Sequence, residues 1–179
     1  MIPQLIDFSH FKQYKPLPVS FQTEDRLMAC INTAQDIDLR DLLGRALYKQ
    51  VLDGRDTTPY FDLINGTSYV LNGKPIYFRG LVPFIVYSAY GYLLREMQAT
   101  LTLSGAKIKT SAESETPSKE WLDNELQEMR AQRGVWAREA HDYLFTNISD
   151  FPYYEGGAGK SIASFSISAL TQPKFNISK

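Results

Sequence analysis

The chain has 179 residues, 44% hydrophobic and 13% aromatic, with a formal net charge of −1. That length fits one domain with appendages, and that apolar content supports a packed core. The near-neutral balance gives no global field toward nucleic acid or an anionic membrane, and a single cysteine, Cys30, excludes an intrachain disulfide framework and a Cys-rich zinc site.

The N-terminus shows no basic start followed by a long apolar run, so no signal peptide is expected. A protein made and kept in the cytoplasm, or packed into a particle assembled there, is the default. Residues 1–22 mix apolar and polar positions irregularly around Pro3, Pro16 and Pro18. They read as an extended arm whose Ile2, Leu5, Ile6, Phe8, Phe11 and Tyr14 need a surface to lie on, either the protein's own bundle or a neighbouring subunit.

Thr23 is a candidate N-cap, followed by Glu24 and Asp25 where carboxylates suit the helix dipole. Leu27, Cys30, Ile31 and Ala34 recur at helical spacing, with Cys30 read as a small buried hydrophobe. Asp38 with Asp41 resembles a capping box. It predicts a second helix carrying Leu39, Leu42, Leu43, Ala46, Leu47 and Val51, ended by Asp53-Gly54. Asp36, Asp38 and Asp41 are read as caps rather than as a carboxylate cluster for a metal or for acid–base work.

Tyr60 to Ile64 reads as a short helical turn closed by Asn65-Gly66. Asn72-Gly73 between two apolar runs predicts a β-hairpin over 69–78, with Pro75 on an edge strand. From Gly80 to Leu103 the chain reads as one helix, apolar on every side through its first three turns. Arg95 and Glu96 interrupt that run after about 15 residues, short of the roughly 20 a membrane span needs. The central element of a bundle is therefore expected. Pro83 suits the first turn, and Gly91 is attributed to close approach of a neighbouring backbone.

Residues 106–116 are polar and read as a loop, mobile or ordered by a partner. From Thr116-Pro117 to about Asn147 a long helix carries Leu122, Leu126, Met129, Trp136, Ala140 and Tyr143 on one face, skipping a place at Arg133. Its acids precede its arginines, the order the helix dipole prefers. Residues 148–179 read as an extended tail in which Phe165, Ile167 and Ala169 alternate with serines like a strand. A lone half-apolar strand is unstable, so the tail is expected to add to something else. Its removal from residue 151 onward should leave the core folded and weaken assembly.

No stretch points to catalysis. Gly-Gly-Ala-Gly-Lys-Ser at 156–161 invites a phosphate-loop reading, but Tyr154 stands where the first glycine belongs, and the strand–loop–helix context is missing. His10 and His141 lie in unlike contexts, and no Cys–His pair has metal-ligand spacing. Tyr153, Tyr154 and Lys160 suggest an alternative, a helical nucleic-acid-binding protein that stacks bases with its tail. However, residues 151–179 hold only three lysines against one glutamate, few for phosphate binding.

Three segments carry a family resemblance: INTAQDIDLRDLLGRALYKQVLDG, then YVLNGKPIYFRGLVPFIVYSAYGYLL, then LTLSGAKIKTS. Leu-Leu-Gly-x-x-Leu-Tyr, a hairpin leading to Gly-Leu and an aromatic-rich helix, and Thr-x-x-Gly before a polar loop look like the head–tail connector (adaptor) proteins of tailed bacteriophages. More narrowly they resemble those of phages of gut Bacteroides-type bacteria, including the crAss-like group. The match covers roughly Thr23 to Asn147 and leaves out the arm and the tail. It implies a mainly α subunit; read from the residues, the fold is a helical bundle around a buried central helix, with a small β-hairpin and extended N- and C-terminal arms. The organisation is an arm over 1–22, a connector core over 23–147 and a tail over 148–179. The resemblance further implies a virion protein of the neck, in a homo-oligomeric ring, commonly twelvefold. Such a ring sits between the portal protein and an adjacent neck or tail protein, and DNA passes through without sequence-specific binding. It implies no enzyme activity and no cofactor, and the residues themselves point to no metal site and no membrane span. Candidate subunit or partner contacts are Phe8, Phe11, Tyr14, Lys107, Lys109, Phe151, Tyr153, Tyr154, Phe165, Ile167 and Phe175.

Overall fold

A computed structural model describes residues 3–15, 24–98, 100–102, 105–107 and 119–154. The described chain is mainly helical with a small antiparallel hairpin. Its first element corrects the expectation of an extended arm, because Phe8–Tyr14 form helix α1. Asp7 caps it, accepting from the backbone N–H groups of Ser9 and His10, while the His10 ring reaches back to the Asp7 backbone. The prolines that argued for an extended arm all lie outside this helix, and Phe8 and Phe11 share one of its faces. Phe11 is fully buried and meets Tyr90 with ring centroids 6.2 Å apart. Ahead of α1, the buried Gln35 side chain clamps the backbone: its Oε1 accepts from Leu5 N–H at 2.9 Å and its Nε2 donates to the Pro3 carbonyl at 2.8 Å.

Helix α2 (Glu24–Thr33) does not stop before Asp38. It runs through a π-helical segment, Ala34–Leu39, straight into α3 (Arg40–Leu43). The reason lies in the apolar stripe. Leu27, Ile31 and Ala34 set a core face on which a regular helix would next place position 38, an aspartate. The π turn inserts one residue, so Leu39 takes the core position and Leu42 and Leu43 follow. The break falls instead at Gly44, whose φ of 78° is open to glycine. Helix α4 (Arg45–Asp53) then buries Leu47, Tyr48 and Val51.

Helix α5 (Tyr60–Asn65) ends on Gly66, followed by strands β1 (Thr67–Leu71) and β2 (Lys74–Phe78), paired in register from Thr67↔Phe78 to Leu71↔Lys74. Asn72 and Gly73, with φ of 50° and 75°, make the tight turn. At the hairpin base, the Leu81 N–H donates to the carbonyls of Leu63 and Ile64. Gly80 passes so close to α5 that a Cβ there would collide with the Ile64 carbonyl.

Helix α6 (Val82–Gln98) is the centre of the molecule, and it buries Phe84, Ile85, Val86, Ala89, Leu93 and Leu94. It packs against α1, α2, the π segment and the long helix α7 (Lys119–Thr146). It stops short of the predicted Leu103. Thr100–Thr102 form strand β3, paired with β4 (Gly105–Lys107), as suits alternating β-branched threonines. The reading of Gly91 is also corrected: among the described residues, nothing beyond its own helix turn comes within 4 Å of where its Cβ would stand. Among the described residues no helix is long and apolar enough to cross a membrane.

Candidate functional site

The tail departs most from expectation. Directly after α7 the chain turns back on itself, with the Asp150 N–H donating to Asn147 and the Tyr154 N–H to Phe151. Phe151 is 0% exposed. Its ring lies 6.0 Å from Tyr60 and 5.9 Å from Tyr143. Tyr154 is buried too, its hydroxyl 2.7 Å from His141 Nδ1. Burial, with Asp142 nearby, pushes that phenol up to about 12.

Phe11, Phe151 and Tyr154 are therefore core residues of their own subunit, which corrects their assignment as partner contacts. Aromatic side chains in segments without strong periodicity look unhoused in sequence, yet a bundle end needs plugs. Phe8 and Tyr14 are half-buried, Phe8 lying under the Lys12 ammonium at 4.3 Å. Burial raises the pKa of Tyr14, against the pull of Arg79. Tyr153, 51% exposed, remains available. Lys107 is in β4, opposite Thr100. Lys109, Phe165, Ile167, Phe175 and the glycine-rich run 156–161 lie outside the described residues.

Two outward apolar surfaces take the place of those candidates. The first is one face of the β1–β2 hairpin. Tyr69 stands edge-on to Tyr143 at 5.3 Å and Phe78 stacks on it at 4.4 Å. With one face fixed on α7, strand alternation turns the other to solvent. There Val70 is 62% and Tyr77 65% exposed, with Pro75 opposite Val70. The signal was present in sequence, since an Asn-Gly turn fixes register and hence which side chains share a face. The second surface surrounds the C-terminal end of α7, where Phe145 is 73% exposed and Ile148 and Tyr153 are close to half exposed.

The ionisable groups are structural. Asp38 accepts from Arg133 at 3.1 Å, joining the π segment to α7. Burial raises the Asp38 pKa, opposed mainly by Arg133, with Tyr92 and Arg95 also favouring its ionised form. This pair explains why the apolar stripe of α7 skips position 133. Asp36 accepts from the Tyr48 hydroxyl at 2.8 Å, so neither aspartate is the cap that sequence spacing suggested. Burial, helped by Glu96, pushes the Cys30 thiol up to about 12, leaving it protonated at neutral pH. Among the described residues no group of three His, Cys, Asp or Glu side chains is placed to hold a metal ion.

Fold and surface together define a mainly helical subunit that completes its own core and turns two apolar patches outward. The chain belongs to a family described as a family of unknown function, DUF6712, whose model matches residues 39–162. Comparison with curated proteins gives no match, and neither does comparison with solved structures.

Proposed function

We propose that the chain is a head–tail connector subunit: one member of a homo-oligomeric ring below the portal of a tailed bacteriophage, joining capsid to tail around the DNA channel. The observation that carries this reading is the apolar surface left over once the core is complete. Val70, Tyr77, Phe145, Ile148 and Tyr153 are all large and outward-facing. Exposed patches of this kind mark sites of association. The core of the connector-like sequence supports the reading, since Leu42 and Leu43, the hairpin's Phe78 and the aromatic-rich α6 all belong to one packed core. A ring needs two different complementary surfaces on each subunit, and the hairpin face and the α7 end supply two. The partners are further copies, the portal protein, and an adjacent neck or tail protein.

The test is to mix the purified chain with its cognate portal protein and examine the product by native mass spectrometry and negative-stain imaging. A ring of the chain seated on the portal is expected. A chain that never multimerises and passes the portal by would overturn the reading.

A further inference from the structure

Helix α7 carries a second seam. Its core side runs through Leu122, Met129, Trp136, Ala140 and Tyr143, all buried. On the opposite side Asn124, Glu128, Ala131, Val135, Arg138 and Asp142 follow at alternating steps of four and three, and Phe145 continues the series. Every one is exposed. That alternation is the spacing of a coiled-coil contact line.

We propose that this face is where two copies of the chain meet, their α7 helices antiparallel about a two-fold axis level with Arg133. In that register Glu128 stands opposite the partner's Arg138, and Ala131 opposite the partner's Val135. Asn124 offers an amide donor to the partner's Asp142. Phe145 meets the partner's Trp121, a residue 42% exposed. Each pairing occurs twice, as a two-fold contact requires.

Charge and shape select this arrangement over its competitors. A parallel in-register pair sets Glu128 on Glu128 and Arg138 on Arg138, and like charges in contact disfavour it. Sliding the antiparallel partner one heptad in one direction puts Glu128 against Phe145 and Val135 against Arg138. Sliding it the other way puts Asn124 against Val135 and Glu128 against Ala131. Of these three antiparallel registers only the one centred on Arg133 matches opposite charge with opposite charge and apolar with apolar; a two-heptad slide also does so, pairing Arg138 with Asp142 and Val135 with Phe145, but over a shorter overlap of the two helices. Lys15 reaches Glu128 at only 3.9 Å and leaves its side chain 56% exposed, so Glu128 is open to an outward partner. At 1.5 Å per residue α7 is about 42 Å long, enough for all four pairings on each side of the axis. A two-fold contact closes at two copies and covers Phe145, so this pair and a ring contact through Phe145 are alternative uses of that surface.

Sedimentation velocity of the full chain across roughly 1–200 μM at low salt tests it, using wild type, Glu128→Arg, Arg138→Glu and the double variant, with circular dichroism to verify folding. The wild type is expected to dimerise. Each single reversal replaces two attractive pairs by two repulsive ones and should weaken the dimer about tenfold or more. The double variant restores opposite charges across the contact and should recover to within about threefold of wild type. A wild type that stays monomeric throughout overturns the pairing, as do single reversals without effect or a double variant no better than the singles. A many-copy ring insensitive to all three variants also overturns it, while leaving the connector reading intact.

Discussion

Asp38 shows what one residue contributes when a helix is bent around it. The π turn lifts it off the core face, yet its side chain is still only 16% exposed, and Arg133 is the cation placed directly on it. The raised Asp38 pKa fixes the sign of its pH dependence. Between the unfolded value near 3.9 and the higher folded value, the native state holds more protons than the unfolded chain. The Asp38 contribution to stability is therefore greatest below about pH 4 and falls as pH rises through the folded value. Arg133→Ala removes the main opposing charge and lifts the folded value further. Because Arg133 is itself a third exposed, hydration moderates the cost to about 1–2 kcal/mol near pH 7. Urea unfolding at pH 7 and pH 4 should show that penalty shrinking in acid. A penalty that is equal at both, or larger at pH 4, would show that the guanidinium acts by packing alone.

At the scale of elements, the segment 149–154 is a plug for the bundle end. Phe151 fills a site between α5 and α7, and Tyr154 ties the turn to His141. A chain ending at Ile148 should be less stable than one ending at Tyr154 by about 3–5 kcal/mol, the cost of losing a buried Phe and its contacts. Thermal melts of the two truncations compare them directly, and equal melting temperatures would remove Phe151 from the core. This reverses the expectation that everything from residue 151 onward is dispensable for folding. What was legible in sequence were elements set by local chemistry. The Asn72-Gly73 hairpin, the stop at Gly54, the short α5 closed by Gly66 and the bodies of α6 and α7 all rest on turn residues or long apolar periods. What was not legible depended on tertiary partners. The slip from Ala34 to Leu39 looks like a capped helix start unless Arg133 is known to sit beside Asp38. Phe11, Phe151 and Tyr154 look surplus until α6, α5 and His141 are placed against them. The Asp7–His10 capping box of α1 was written in the sequence, overshadowed by prolines that lie outside the helix.

If the chain assembles as proposed, the question for the whole molecule is which outward surface holds a neighbour. The hairpin face is the sharper candidate because its inner face is so firmly seated. With Tyr69 and Phe78 locked on Tyr143, Val70 and Tyr77 project from a rigid base, and docking there costs little ordering entropy. Replacing both by threonine keeps strand propensity while removing most of the apolar area. Neither side chain supports the core, so unfolding free energy should change by less than about 0.5 kcal/mol for each exposed site. If the face is a contact between ring neighbours or with the portal, the Val70→Thr, Tyr77→Thr double variant should stay folded and yet fail to enter the portal-bound ring in competition with wild type. Mass spectrometry of rings assembled from an equal mixture reads this as depletion of the variant. Rings that contain both chains equally would mean that this face stays in solvent within the assembly, shifting the contact to the α7 end with Phe145, Ile148 and Tyr153.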